Sequence, residues 1–133
     1  MPFINVKIAG PTLAPEQIGR LQRGLTDIVF EALRKERELT SVLIEQVHAS
    51  RWSIAGAVAP VLAHVTASVA AGSNTVEERA RFIAETHRLL KLILGGGLPM
   101  ATYVIVDEPP DDSWGYDGIT HLQRAKSAHH SAA

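Results

Sequence analysis

Pro2 is the residue of this sequence whose position, more than its type, indicates chemistry. A small second residue permits removal of Met1, and the processed chain would then begin with a secondary amine. An α-amino group titrates near about 7.7–8.0, and burial in an apolar pocket lowers its pKa because burial disfavours the charged form. A neutral amine can remove a proton next to a carbonyl group, provided that a donor stabilises the enolate oxygen. The alternative is that the proline only starts a strand, where its missing N–H does no harm.

The composition excludes several other kinds of site. The chain has no cysteine, so it forms neither a disulfide nor a thiolate metal site and has no catalytic thiol. Its six histidines form no H-x-x-x-H pair on a helix, and a carboxylate motif beside them is also absent, so we predict no metal and no cofactor. The glycines at 95–97 follow a helix instead of preceding one, which is not the arrangement of a phosphate-binding loop.

Length and charge predict one soluble domain over residues 1–133. The chain of 133 residues is long enough for a single core and too short for two large ones. A formal net charge of -1 provides no electrostatic reason to expect nucleic acid or anionic lipid as a partner. No stretch approaches the roughly 18 apolar residues of a membrane helix, and the first residues lack a signal-peptide pattern. We therefore expect a cytoplasmic protein whose partner is a small-molecule substrate.

The elements that must position Pro2 can be read from the hydrophobic pattern. Residues 3–9 alternate as a half-buried strand does, with Ile4, Val6 and Ile8 on the buried face. Pro15 can occupy the first turn of a helix, whose apolar stripe continues to Leu33 and is followed by a second strand over 40–47. Two glycines inside this helix, at 19 and 24, each cost about 1 kcal/mol relative to alanine, so we expect close packing there.

The second half of the chain repeats this order. Residues 60–69 are predicted to form a strand, and Thr75 and Glu78 have the spacing of a capping box at the start of a helix that ends at Gly95. A fourth strand is predicted over 101–107. The resulting fold class is α/β, with tandem β-α-β units that form a four-stranded sheet carrying two helices on one face. The uncovered face would expose apolar side chains, which predicts an obligate oligomer.

An internal duplication relates the two halves. Trp52-x-x-x-Gly56 corresponds to Trp114-x-x-x-Gly118 at an offset of 62, and Pro2 is aligned with Pro60 at an offset of 58. We place the repeats at 2–56 and 60–120, followed by a flexible tail at 121–133. The nitrogen of Pro60 is a tertiary amide with no basic lone pair, so only the first half would hold a reactive proline.

Met-Pro before an alternating strand, one helix, a second strand and an aromatic-x-x-x-Gly ending resembles the tautomerase superfamily that includes 4-oxalocrotonate tautomerase, in its fused form. The resemblance implies an isomerase that catalyses keto-enol proton transfer on a small carbonyl acid, with Pro2 as general base. It also implies a homotrimer, in which the paired unit supplies an aromatic wall to the pocket of Pro2. Trp114 of the same chain is the first choice for that wall and Trp52 is the second.

The chain also departs from the pattern of this superfamily. Relatives that act on dicarboxylates carry one arginine after the first strand and another in the second strand, where this chain has 10–13 (GPTL) and Leu43 or Ile105. A neutral or monoanionic substrate is therefore expected. Arg51 is the candidate anchor for a carboxylate or carbonyl, against the alternative of a solvated hairpin arginine, and Tyr103 is a candidate hydrogen-bond donor.

Two alternatives to a tautomerase follow. One is a non-catalytic, oligomeric small-molecule-binding protein, a pseudoenzyme, for which the missing arginines argue. The other is a dehalogenase or decarboxylase of the same superfamily, although the added polar groups that those reactions need are not visible in the sequence.

Overall fold

A computed structural model describes residues 2–132, with side chains described through residue 128. The first half contains β1 (Phe3–Ala9), α1 (Pro15–Leu33) and β2 (Ser41–Val47). The second half contains β3 (Leu62–Ser68), α2 (Val76–Leu94) and β4 (Tyr103–Asp107). Two short strands, β5 (Gly115–Tyr116) and β6 (Ile119–Thr120), form a hairpin after β4, and α3 (His121–Ala132) follows directly. Short 3-10 turns lie at Arg37–Leu39 and Ala49–Arg51.

The four long strands form one mixed sheet in the order β2-β1-β3-β4. Strands β1 and β2 are parallel, β3 and β4 are parallel, and the two pairs meet through an antiparallel contact between β1 and β3. The predicted α/β architecture is confirmed, since α1 contacts β2, α2 contacts β4, and the two helices contact each other. This topology places the start of β1 and the end of β4 at the same end of the sheet.

The core lies between the sheet and α1 and α2. On β1 the predicted alternation is confirmed, because Ile4, Val6 and Ile8 are fully or almost fully buried. Both helices contribute large buried side chains, namely Leu21, Leu25, Val29, Leu33, Phe82 and Leu90. The other face of the sheet is uncovered in the single chain and exposes apolar side chains among polar ones, namely Phe3, Leu43, Tyr103 and Ile105.

Gly24 allows the two helices to approach closely, as expected from its cost in the middle of α1. A Cβ atom at this position would lie 2.7 Å from Cδ2 of Leu89 on α2. At Gly19 the added carbon would meet only the side chain of Arg23 from the same helix. The expectation of close packing between elements therefore holds for Gly24 and not for Gly19.

The strand register corrects the alignment of Pro2 with Pro60. The two long helices are offset by 61 residues at both ends, from 15 to 76 and from 33 to 94. The same offset carries the buried positions Ile4 and Val6 of β1 onto Val65 and Ala67, which are buried on β3. An even offset such as 58 would exchange the two faces of the strand. Ala63, not Pro60, is therefore the counterpart of Pro2.

Helix α3 lies where the sequence predicts a flexible tail over 121–133. Its first turn is capped reciprocally: the backbone N–H of Gln123 donates to Oγ1 of Thr120 at 3.0 Å, and the N–H of Thr120 donates to Oε1 of Gln123 at 2.9 Å. Such a capping box satisfies amide donors that a helix leaves without partners at its start. The pair Thr120 and Gln123 was the signal in the sequence that indicated a helix here.

Candidate active site

Pro2 is buried at one end of the sheet, immediately before β1. Its carbonyl oxygen accepts a hydrogen bond from the backbone N–H of Ser41 at 3.2 Å, which joins it to the start of β2. The next residue, Phe3, pairs with Ser68 on β3, and Ser68 pairs with Asp107, the last residue of β4. The segment after β4 thus begins at the end of the sheet where Pro2 lies.

This segment folds into the β5–β6 hairpin through a two-residue turn. Asp117 and Gly118 have φ angles of 55° and 77°, and Tyr116 pairs with Ile119 across them, as in a type I′ hairpin. Aspartate and glycine are residues that accept positive φ at low cost. Trp114 stands at the base of the hairpin, and its carbonyl accepts a hydrogen bond from the backbone N–H of His121 at 3.0 Å. The hairpin thereby holds the start of α3 in place.

Aromatic and cationic side chains are stacked between the hairpin and α3. The ring centroids of Trp114 and His121 are 4.4 Å apart, with an angle of 34° between the planes. One helical turn later, the guanidinium carbon of Arg124 lies 3.9 Å from the centre of the Tyr116 ring, and Nη2 donates to the Tyr116 carbonyl at 2.7 Å. These contacts fix the orientation of both α3 side chains.

The same cluster contains buried polar atoms without hydrogen-bond partners. Within the described part of the chain, five side-chain atoms are in this state, and four belong to this segment: Oδ1 of Asp111, Nε1 of Trp114, Nε2 of His121 and Nε of Arg124. Buried polar atoms in proteins are normally hydrogen-bonded, because leaving them unpaired costs about 1–3 kcal/mol each. Their concentration at one end of the sheet indicates a place suited to binding polar groups of a ligand.

Burial and nearby positive charges lower the pKa of His121. The largest cause of the lowered imidazole pKa is burial, followed by the positive charge of the amino terminus. The carboxylate of Asp111 raises this pKa, whereas the positive charges of Arg124 and Lys35 lower it. Lys35 follows α1, donates from Nζ to Oγ of Ser73 at 2.6 Å, and has a pKa lowered mainly by burial. At neutral pH the imidazole of His121 can therefore donate one hydrogen bond without carrying a charge.

The candidate residues named from the sequence are divided between the two ends of the sheet. Pro2 and Trp114 lie at one end. Arg51 and Trp52 follow β2 at the opposite end, and Tyr103 begins β4 there, 64% exposed and paired in register with His64. Within one chain, Arg51 is therefore not the cation nearest to Pro2.

The sequence did not indicate the two α3 side chains, Arg124 and His121, that do lie at the end of Pro2. Both residues fall in the segment 121–133 that the sequence predicts to be a flexible tail. Arg124 and His121 are three residues apart on α3, a spacing that places two side chains on the same face of a helix. The capping box at the start of α3 was the one signal that could have placed them together.

The substitution Gly115→Ala tests how much the β5–β6 hairpin contributes to the stability of the protein. A Cβ atom here would lie 2.0 Å from the carbonyl oxygen of Ile119, so Gly115→Ala should separate β5 from β6 and displace Trp114. We expect a loss of about 1–2 kcal/mol in the free energy of unfolding, measured by urea denaturation. Gly96→Ala is the matched control, since its added carbon would meet nothing within 4 Å. Equal stability of the two variants would show that the hairpin tolerates the side chain.

Among the residues described, no group of three or more histidine, aspartate or glutamate side chains is arranged to hold a metal ion. In the same part of the chain, no helix combines the length and the apolar character needed to cross a membrane.

Comparison with known proteins identifies relatives for both halves. The family model described as "Tautomerase enzyme" matches the chain twice, over residues 2–59 and 64–120. The chain is 34% identical over 56 residues to a protein of Dickeya dadantii (strain 3937) named "Probable tautomerase K2", and this match covers 42% of the chain and 84% of that protein.

Similar solved structures cover nearly the whole chain. The native fused 4-OT has a TM-score of 0.81 at 23% identity, covering 94% of this chain and 98% of that one. The Q0 fused 4-OT, solved as a symmetric trimer, has a TM-score of 0.79 at 21% identity, with coverage of 92% and 98%. Pt0534, solved after inactivation by 2-oxo-3-pentynoate, has a TM-score of 0.80 at 17% identity, with coverage of 90% and 96%. These likenesses concern the fold.

Proposed function

The chain belongs to the tautomerase family, and we propose that it catalyses keto-enol proton transfer on a small carbonyl acid with the amine of Pro2 as general base. The proposal applies to the chain from which Met1 has been removed, because Pro2 is otherwise an amide. The observation that carries it is the burial of Pro2 at the same end of the sheet as the polar cluster of Asp111, Trp114, His121 and Arg124. Burial lowers the pKa of an amine and so increases its neutral fraction near pH 7.

In the proposed reaction, the nitrogen of Pro2 takes a proton from the carbon next to the substrate carbonyl. The electron pair of the broken C–H bond moves into the carbonyl group, and negative charge develops on its oxygen. The indole N–H of Trp114 and the neutral imidazole of His121 are donors without partners that can stabilise this oxygen. The protonated Pro2 then returns the proton, to the same carbon or to a conjugated one, which restores the base.

Arg124 is the proposed anchor for the substrate carboxylate. Its Nη2 is used by the Tyr116 carbonyl, while its buried Nε has no partner. A guanidinium held by stacking loses little additional freedom when it binds an anion. Arg124 can bind only one carboxylate. The strand position at which relatives that act on dicarboxylates carry a second arginine is occupied here by Leu43 or Ile105, which cannot bind an anion. The proposed substrate is therefore a monocarboxylate.

We further propose that the protein is a homotrimer. The uncovered face of the sheet carries apolar side chains that are 40% exposed at Phe3, 44% at Leu43 and 42% at Ile105, and burying them between subunits would be favourable. Structural relatives of the fused type have been solved as trimers. A monomeric mass by light scattering would contradict this part of the proposal.

Reaction with 2-oxo-3-pentynoate tests Pro2 directly. The amine of Pro2 would add to the methyl-bearing alkyne carbon, which is β to the ketone. A C–N bond forms, one π bond of the alkyne and the N–H bond break, the proton moves to the carbon next to the ketone, and nothing leaves. We expect intact mass spectrometry to show a chain without Met1 plus one reagent molecule, and peptide mapping to place the adduct on Pro2. At pH 7 the folded protein should react faster than the protein unfolded in urea, because only folding lowers the pKa of the amine.

Three outcomes would count against the enzyme. Met1 retained on the chain would remove the base for that material. A folded protein that labels no faster than the unfolded one would show that the site does not activate Pro2. Labelling without any turnover of enol or keto monocarboxylates would favour the alternative of a non-catalytic binding protein.

A further inference from the structure

A second depression lies at the end of the sheet opposite Pro2. It has a volume of about 420 Å³ and is lined by five residues: Lys7, Val47, Arg51, Trp52 and His64. Lys7 near the end of β1 is paired in register with His64 on β3, and Val47 is the last residue of β2. Arg51 and Trp52 follow β2 and lean over this end of the sheet. None of these residues takes part in the site proposed for Pro2 within the same chain.

Neither cation of the depression has a carboxylate partner within the described part of the single chain. Among residues 2–128, neither Lys7 nor Arg51 has a carboxylate oxygen within 4.0 Å. Glu45 is the neighbour of Lys7 on β2, but its Oε2 accepts a hydrogen bond from the side-chain amide of Asn5 at 3.0 Å. One ring nitrogen of His64 already has a hydrogen-bond partner, since its Nε2 lies 3.2 Å from Oγ1 of Thr66. Two unpaired positive charges beside an indole ring suit a small anion with an apolar body.

The internal repeat makes this depression the counterpart of the Pro2 site. The hairpin after β2 turns at Ala55 and Gly56 with φ angles of 55° and 74°, close to the values at Asp117 and Gly118. Ile54 and Ala57 exchange two backbone hydrogen bonds of 3.0 Å across this turn. The two ends of the sheet therefore share a tryptophan that precedes a type I′ hairpin.

The two ends differ in the residue that could act as a base. The position of Pro2 is taken by Ala63 in the second unit, whose nitrogen is an amide inside the chain. This end of the sheet therefore retains an aromatic wall and cations but lacks a basic amine.

We propose that the depression lined by Lys7, Arg51 and Trp52 is a second, non-catalytic binding site for small carboxylates. Lys7 and Arg51 bind the carboxylate group, and the indole of Trp52 together with Val47 contacts the apolar body. The sequence assigned Arg51 and Trp52 to the pocket of Pro2. In this proposal they bind a different ligand molecule, at the opposite end of the sheet. The proposal does not depend on whether Pro2 is catalytic.

Phenylacetate is a suitable probe because it combines one carboxylate with an apolar ring. The chain contains two tryptophans, so Trp114→Phe leaves Trp52 as the only indole. In this full-length background we expect a saturable change of Trp52 fluorescence on titration with phenylacetate. The double substitution Lys7→Met and Arg51→Gln should weaken the affinity at least about 10-fold, since it removes charge-assisted hydrogen bonds. The neutral analogue phenylacetamide should bind the unsubstituted site about 10-fold more weakly.

Two controls separate this site from other causes. Arg20→Gln removes an exposed cation of α1 and should leave the affinity unchanged. Pro2→Ala should also leave it unchanged, which distinguishes the second site from that of the proposed base. Thermal melting and light scattering establish that every variant is folded and assembled like its parent. The proposal is overturned if no saturable change occurs, if the double substitution has no effect, or if the signal is lost in Pro2→Ala.

Discussion

Pro2→Ala should lower kcat/KM for ketonisation of phenylenolpyruvate by on the order of 10²-fold, the lower end of what a positioned general base contributes. Alanine retains an amine after removal of Met1, but it lacks the ring that fixes φ and holds the nitrogen lone pair in one direction. The measurement is the initial rate at several pH values. In the parent enzyme, kcat/KM should fall on the acid side as Pro2 becomes protonated, and the position of this limb reports the pKa of the amine in the free enzyme.

Pro60→Ala is the matched control for this experiment. It makes the same chemical change at an exposed proline whose nitrogen is an amide, and the strand register shows that it is not the counterpart of Pro2. Its rate should equal that of the parent. Equal rates for Pro2→Ala and the parent, with Met1 removed from both, would eliminate Pro2 as the base.

Arg124→Gln should raise KM for a monocarboxylate substrate by about 10- to 100-fold, since hydrogen bonds to charged groups contribute about 1.5–3 kcal/mol each. Arg124→Lys should recover only part of this loss, because an ammonium group cannot reproduce the planar fork of the guanidinium. The measurement is steady-state kinetics of both variants. Arg88→Gln, at an exposed position of α2, is the control that changes the net charge equally.

Arg124 also supports the hairpin, through its hydrogen bond to the Tyr116 carbonyl and its contact with the Tyr116 ring. A purely structural defect would slow a neutral methyl ester of the substrate as much as the acid itself. The proposed anchoring role predicts instead that the acid is affected and the ester is not. If Arg124→Gln leaves the KM for the acid unchanged, Arg124 does not bind the substrate carboxylate.

Local patterns were sufficient for most of the fold. The alternation over 3–9 predicts β1 with its observed bounds, and the apolar stripe after Pro15 predicts α1. Thr75 caps α2 in the predicted way, since its Oγ1 accepts a hydrogen bond from the backbone N–H of Glu78 at 3.1 Å. These elements are set by interactions over a few residues. The role of Pro2, by contrast, stays a prediction, because it depends on processing and on chemistry.

The pairing of Pro2 with Pro60 was wrong for a physical reason. Two prolines near the starts of two strands look equivalent in sequence, but the offset between them is even, while the buried faces of β1 and β3 are related by an odd offset. A strand has a period of two, so an error of one residue reverses every side chain.

What the sequence alone determined is the α/β class, the tandem arrangement and the single proline that can become a secondary amine. Trp114 was already expected beside Pro2 from the family resemblance, but that His121 and Arg124 lie at the same end was decided only by the tertiary structure. The antiparallel contact of β1 with β3 places the end of β4 at the same end of the sheet as the start of β1, and so brings Trp114, His121 and Arg124 to the end of the sheet where Pro2 lies. The parallel pairing of β1 with β2 places Arg51 and Trp52, which follow β2, at the opposite end, a strand's length from Pro2. Pairing between strands distant in sequence leaves no local pattern from which such neighbours can be predicted.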